Sequence, residues 1–232
     1  MARSGEWVEW HRGYEKPDGL LARRLAVVQR LVAAAIDRAP PDAVRVISMC
    51  AGDGRDLLGV LAAHPRRRDV RARLVELDES LVARGRERAA HEGLDSVELV
   101  CGDASDTCAY RDAAPADVLL VCGVFGNVTD EDVHNTVARL PELCAPGATV
   151  VWTRGRFEPD LTPAIRSWFG DAGFAEIDFV PIAGTTAAVG AHRLTAAPRP
   201  YVAGVRLFTF LEERERPSRR CSVPYRATPS PP

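Results

Sequence analysis

The chain has 232 residues, 46% of them hydrophobic, enough for one large core in a single domain or a domain with a cap. A formal net charge of -2 argues against a nucleic-acid or anionic-membrane partner. No apolar run approaches the roughly twenty residues of a membrane span.

Six cysteines (Cys50, Cys101, Cys108, Cys122, Cys144, Cys221) form no C-x-x-C pair and lie mostly in or beside apolar runs. They read as reduced thiols of a cytoplasmic protein, not as a disulfide frame or a zinc site. The N-terminus lacks the apolar core of a signal peptide.

Residues 1–19 mix Trp7, Trp10, His11 and Tyr14 with charges. This stretch is either an arm anchored on the core or a lid whose rings wall a ligand pocket. Leu21, Leu25, Val28, Val32 and Ala35 then recur at helical steps, with arginines between them, until Pro40-Pro41 stops the helix. Residues 1–41 are therefore expected to form the arm and first helix, and 42–211 the main domain.

Apolar runs and amphipathic stretches alternate from there. Strands are expected at Val44–Met49, Ala72–Leu77, Val97–Cys101, Asp117–Cys122 and Ala148–Thr153. Helices are expected at about Arg55–Ala63 and Glu79–His91, after the Thr129 cap with its acidic first turn, and after Thr162-Pro163. This rhythm implies an α/β fold, a doubly wound and mostly parallel sheet with helices on both faces. Phe174–Ile182 and Gly204–Leu211 also look like strands, with no helix between them, so they must pair antiparallel as a C-terminal hairpin, completing seven strands. His192 falls in the loop of that hairpin. The Arg- and Pro-rich tail, 212–232, is expected to be disordered.

Open sheets of this kind bind ligands at the carboxyl ends of their strands, where strand order reverses. After the first strand come Cys50, Ala51, Gly52, Asp53 and Gly54, a turn of small residues that lets a ligand lie against the backbone. After the second come Glu76 and Leu77, with a carboxylate about twenty residues beyond the loop that can accept ribose hydroxyls. Asp103 and Ala104 follow the third strand. Gly123, Val124, Phe125 and Asn127 follow the fourth, and Arg154 the fifth.

G-x-G-x-x-G is absent, so this is not the dinucleotide fingerprint. The series instead resembles the class I S-adenosylmethionine-dependent methyltransferases, whose loop reads acid-x-G-x-G-x-G. Here Ser48 stands at the acid position and Cys50 at the first glycine, while Gly52 and Gly54 match the other two. The resemblance covers roughly Val44 to Leu211.

The resemblance implies S-adenosylmethionine as cofactor and S-adenosylhomocysteine as product. It implies cofactor contacts from Cys50, Ala51, Gly52, Asp53, Gly54, Glu76, Leu77, Asp103, Ala104, Gly123 and Val124. Asp53 becomes a stand-in for the missing acid. The acceptor is expected to be a small molecule methylated at oxygen or nitrogen, met by Trp10, Phe125, Asn127 and Arg154. His11, Tyr14 and His192 are the candidate general bases. No metal is expected, and the protein is expected to be a monomer or homodimer. The alternatives are another reaction of the same cofactor, or a silent cofactor-binding module.

Overall fold

In the computed structural model, residues 19–211 are described. Trp10, His11, Tyr14, the rest of the expected arm before Gly19 and the tail after Leu211 lie outside the described residues.

Helix α1 (Leu20–Arg38) buries Val28, Leu31, Val32, Ala35 and Ile36 on one stripe. It is followed by β1 (Val44–Met49), α2 (Arg55–Leu61), β2 (Val70–Glu76), α3 (Glu79–His91) and β3 (Val97–Cys101). Then come β4 (Ala116–Val121), α4 (Asp130–Arg139), β5 (Cys144–Gly155), α5 (Thr162–Asp171), β6 (Phe174–Pro181) and β7 (Ala187–Leu194). Asp78 caps α3 by accepting from the amides of Ser80 and Leu81, and Thr129 caps α4 by accepting from that of Asp132.

The strands form one sheet in the order β3-β2-β1-β4-β5-β7-β6. β1 to β5 run parallel, and β7 enters antiparallel between β5 and β6. Alternate residues of each strand serve opposite faces. Val46, Leu74 and Leu120 join a core with α1, α2 and α3. Ile47, Val75, Leu119 and Trp152 join a second core with α4 and α5. Strand order reverses between β1 and β4, and the crevice of such a sheet opens at that point.

The doubly wound, mostly parallel seven-stranded sheet matches expectation, but the hairpin is displaced. Its second strand is Ala187–Leu194, not Gly204–Leu211. The stretch AAVGAHRL is poor in strand formers and carries a glycine at its centre. The reason is packing: a Cβ on Gly190 would lie 2.3 Å from Cε2 of Trp152, so the indole takes the space of a side chain.

The strand-like 204–211 segment makes only the isolated bridges Asp106–Arg206 and Val128–Phe210. It runs as a strap along the carboxyl edge. Its backbone is tied at Thr107, Ser105 and Asn127, and the Leu207 carbonyl accepts from Asn135 and Thr136. β5 is also longer than expected. It starts at Cys144 with a bulge against β4 and reaches Gly155, so Arg154 lies within the strand rather than after it.

Candidate functional site

The loop after β1 is shaped by three residues with positive φ: Cys50 (51°), Gly52 (58°) and Gly54 (74°). Gly54 begins α2, and a Cβ there would meet Leu58 Cδ1 and Leu74 Cδ2, each at 2.9 Å. The turn therefore stays narrow, with its backbone facing the crevice.

Glu76 ends β2 and turns back to this loop. Its Oε2 accepts from the Gly52 amide at 2.8 Å. Its Oε1 accepts from the amides of Leu77 at 2.8 Å and Asp78 at 3.0 Å. Three amides fix one carboxylate, and a carboxylate has about four acceptor positions. Beside it Leu77 is 72% exposed, a large apolar surface next to a polar anchor.

Asp103 follows β3. Its Oδ1 accepts from the Ser105 amide at 2.9 Å and the Ser105 hydroxyl at 2.7 Å, while Arg206 of the strap reaches Oδ2 at 3.2 Å. Partial burial raises this carboxyl, but the Ser105 hydrogen bonds and the Arg206 charge outweigh it and hold the group below the ordinary aspartate value. Ala104 is buried, and its carbonyl accepts from the Tyr110 hydroxyl at 2.6 Å. The Cys50 thiol lies between these acids. Burial, then the charges of Glu76 and Asp103, push it well above the ordinary thiol value, so it stays protonated and is no nucleophile.

On the β4 side, the Gly123 amide donates to Thr153 Oγ1 at 2.9 Å and its carbonyl accepts from Asn127 Nδ2 at 2.7 Å. The glycine backbone therefore lies on the crevice, held from two directions. These two faces can fix an adenosine-like group along the ends of β2 and β3 and lead its other end toward β4. The narrow turn and the amide-fixed Glu76 fit a nucleoside cofactor.

Several expected acceptor-side residues are corrected by their surroundings. Phe125 is 0% exposed and packs against Trp152 with ring centroids 6.0 Å apart, so it belongs to the core. The Asn127 side chain holds the loop backbone. Arg154 donates to the Phe125 carbonyl and lies 3.6 Å from Asp130, so it braces the same loop. Val124 is fully buried and leaves only its backbone for contacts.

His192 is not in a loop. It sits within β7, 1% exposed, accepting from Trp152 Nε1 at 3.1 Å and stacked on Phe169 at 4.3 Å. It is a core residue, out of reach of a substrate. Asp53 does not stand in for the missing acid. Its buried carboxylate is gripped by Arg55, Nε to Oδ1 at 2.8 Å and Nη2 to Oδ2 at 2.5 Å, with Arg88 at 3.9 Å.

Two groups went unrecognised in the sequence. One is the Arg206 strap across Asp103. The other is Asp56 in the first turn of α2, whose carboxyl burial pushes above the ordinary aspartate value. The signal for Asp56 was its place directly after the glycine loop. Among the described residues, no group of three or more His, Cys, Asp or Glu could hold a metal, and no helix is long and apolar enough to cross a membrane.

The sequence model of a family described as "Putative methyltransferase" matches residues 18–169. Protein YnbC of Escherichia coli (strain K12) is 32% identical over 122 residues, 51% of this chain. The chain spans 20% of that relative's length.

Among solved structures, an O-methyltransferase family protein from Burkholderia thailandensis has a TM-score of 0.60 at 19% identity, over 75% of this chain and 55% of the other. Magnesium protoporphyrin IX methyltransferase (ChlM) from Synechocystis PCC 6803 with bound SAM has a TM-score of 0.61 at 12% identity, over 83% and 91%. The 1,6-didemethyltoxoflavin-N1-methyltransferase of Burkholderia thailandensis, with 1,6-didemethyltoxoflavin and S-adenosylhomocysteine, has a TM-score of 0.60 at 18% identity, over 84% and 92%. At these identities the likeness establishes the fold.

Proposed function

The chain belongs to the methyltransferase family whose sequence model it matches, and on that footing we propose that it transfers the methyl group of S-adenosylmethionine to oxygen or nitrogen of a small-molecule acceptor. The observation that carries the reading is the fixed Glu76 carboxylate, held by the amides of Gly52, Leu77 and Asp78 at the rim of the crevice.

In this reading Glu76 accepts a ribose hydroxyl at the acceptor position its three amides leave open. Leu77 covers one face of the adenine, while Asp103 and the Ala104 backbone meet its edge. Cys50, Ala51, Gly52 and Gly54 offer backbone to the ligand. Gly123 and the Val124 backbone line the path toward the acceptor. Bound there, S-adenosylmethionine supplies an electrophilic methyl group on a sulfonium.

The protein's task is then to align the nucleophile with the sulfur–methyl bond and to exclude water. Alignment of this kind is worth roughly 7–11 kcal/mol in favourable intramolecular models. A base is needed only for a hydroxyl or a protonated amine. With His192 buried, His11 and Tyr14 are our candidates for it, and Trp10 for a wall of the acceptor pocket. Their support is the course of the chain. The first turns of α1 stand at the carboxyl edge, where Arg23 donates to the Ala183 carbonyl of the β6–β7 turn at 3.1 Å. Two neighbours with this fold are named for small-molecule chemistry, on a porphyrin and on 1,6-didemethyltoxoflavin, which agrees with the acceptor class. We place the enzyme in the cytoplasm, in keeping with five unpaired cysteines among the described residues.

The test uses cofactor labelled in its methyl group, incubated with the protein and fractionated cell extract. Label is expected in the metabolite fraction. Label confined to nucleic acid or protein would refute the small-molecule acceptor.

A further inference from the structure

The cofactor reading fills the carboxyl edge of the sheet in order, adenine at β3, ribose at β2, and the methyl end past the glycine turn of β1 toward β4. The next strand along the sheet is β5, so its carboxyl end borders the space beyond the methyl group. Arg154 and Arg156 stand there.

Arg154 is committed to the protein. Its side chain is only 14% exposed, donates to the Phe125 carbonyl and lies 3.6 Å from Asp130. Arg156 is not committed in this way. It directly follows Gly155, the last residue of β5, and is half-buried. Its amide donates to the Thr186 carbonyl at 2.6 Å, just before β7. That bond sets it between the β6–β7 turn on one side and, on the other, the loop after β4 that Arg154 braces.

The Arg156 Nε is closed to solvent and has no hydrogen-bond partner. Among the described residues no carboxylate lies within ion-pair distance of its guanidinium, and the nearby acids have other tasks. Asp130 faces Arg154, and Asp160 accepts from the amide and hydroxyl of Thr162 at the start of α5. A donor withdrawn from water without a partner is costly, and nearly all such groups in folded proteins are satisfied. The unmet donor and the unbalanced charge both require an anion at the end of β5.

Resting on the methyl-transfer reading above, we propose that Arg156 binds a carboxylate of the acceptor, which makes the substrate class a small-molecule carboxylic acid. The charges around it select a carboxylate over a phosphate. One guanidinium balances one negative charge, and the adjoining Arg154 already serves Asp130. The first amide of α5, a place where phosphate could sit, already donates to Asp160. The planar fork of an arginine matches the paired oxygens of a carboxylate. Held by that end, the acceptor lies along the β4–β5 edge with its nucleophile toward Gly123.

The test offers the full-length protein methyl-labelled cofactor with the metabolite fraction of a cell extract. The fraction is used untreated, after phosphatase, and after capping of its carboxylates as amides with carbodiimide and methylamine. Acceptor activity is expected to survive phosphatase and to be lost on capping. Activity that survives capping, or that phosphatase removes, overturns the proposal. Labelling of no metabolite at all would instead bring down the methyl-transfer reading on which it rests.

Arg156→Gln assigns the role to the residue. It should raise the extract concentration that gives half-maximal labelling by about ten-fold or more, with S-adenosylhomocysteine affinity kept at the wild-type value in calorimetry. An unchanged half-saturation, or an equal loss of S-adenosylhomocysteine affinity, overturns the proposal. Should that variant not fold, Arg156→Lys takes its place. It keeps the charge but not the fork, and should raise the same concentration by about three-fold or more; an unchanged value again overturns the proposal.

Discussion

The amide of Gly52 donates to Oε2 of Glu76 at 2.8 Å, so the loop that ends β1 fixes the acid that ends β2. The amides of Leu77 and Asp78 fix the other oxygen. The acid is thus positioned before any ligand arrives, and little ordering remains to be done on binding. Its neighbour Asp78 has a different task, capping α3 through Ser80 and Leu81. Glu76→Ala should therefore weaken S-adenosylhomocysteine binding by about 1.5–3 kcal/mol, roughly ten- to hundred-fold. Asp78→Ala should leave binding nearly intact and lower stability by about 1 kcal/mol. Calorimetry and urea titration of the two variants separate the roles, and comparable binding losses at both positions would mean that the ribose is misplaced.

His192 predicts an acid-sensitive fold. Burial pulls its pKa down to about 4 from 6.5, against the opposing pull of Glu176. The folded protein then binds fewer protons than the unfolded chain between those two values. This contribution to stability is full above pH 6.5 and is lost as pH falls toward 4. Its ceiling is about 3 kcal/mol, from 1.36 kcal/mol per pKa unit. His192→Gln should flatten the loss between about pH 7 and pH 4.5. Urea titrations with the same acid slope in both proteins would show that other groups carry it.

Asn127 and Phe125 illustrate where sequence and structure part. The positions of the glycine loop, Glu76 and Asp103 at or just past strand ends were legible because a strand end is easily read from an apolar run. The first five strands were legible for the same reason. β7 was not, because Gly190 makes room for the Trp152 indole and the strand is poor in strand-forming residues. His192 was misjudged with it. Asn127 and Phe125 were placed correctly after β4, but a position after a strand does not say which way a side chain points.

A structural role for Asn127 has its own consequence. Its side-chain amide donates to the Gly123 carbonyl, while its backbone carbonyl accepts from the Leu211 amide of the strap. Asn127→Ala leaves the Gly123 carbonyl without this donor and should cost about 1–2 kcal/mol of stability. The range of acceptors methylated should stay the same. A changed acceptor profile with unchanged stability would return Asn127 to the acceptor pocket.

The central claim is that this crevice holds S-adenosylmethionine and not a dinucleotide, because Glu76 and the Gly52–Gly54 turn stand where G-x-G-x-x-G is absent. Calorimetric titration of the full chain with S-adenosylhomocysteine and, separately, with NAD tests it directly. The account predicts saturable one-to-one binding of S-adenosylhomocysteine, lost or strongly weakened in Glu76→Ala, and no heat with NAD beyond dilution. Saturable NAD binding without S-adenosylhomocysteine binding would contradict it.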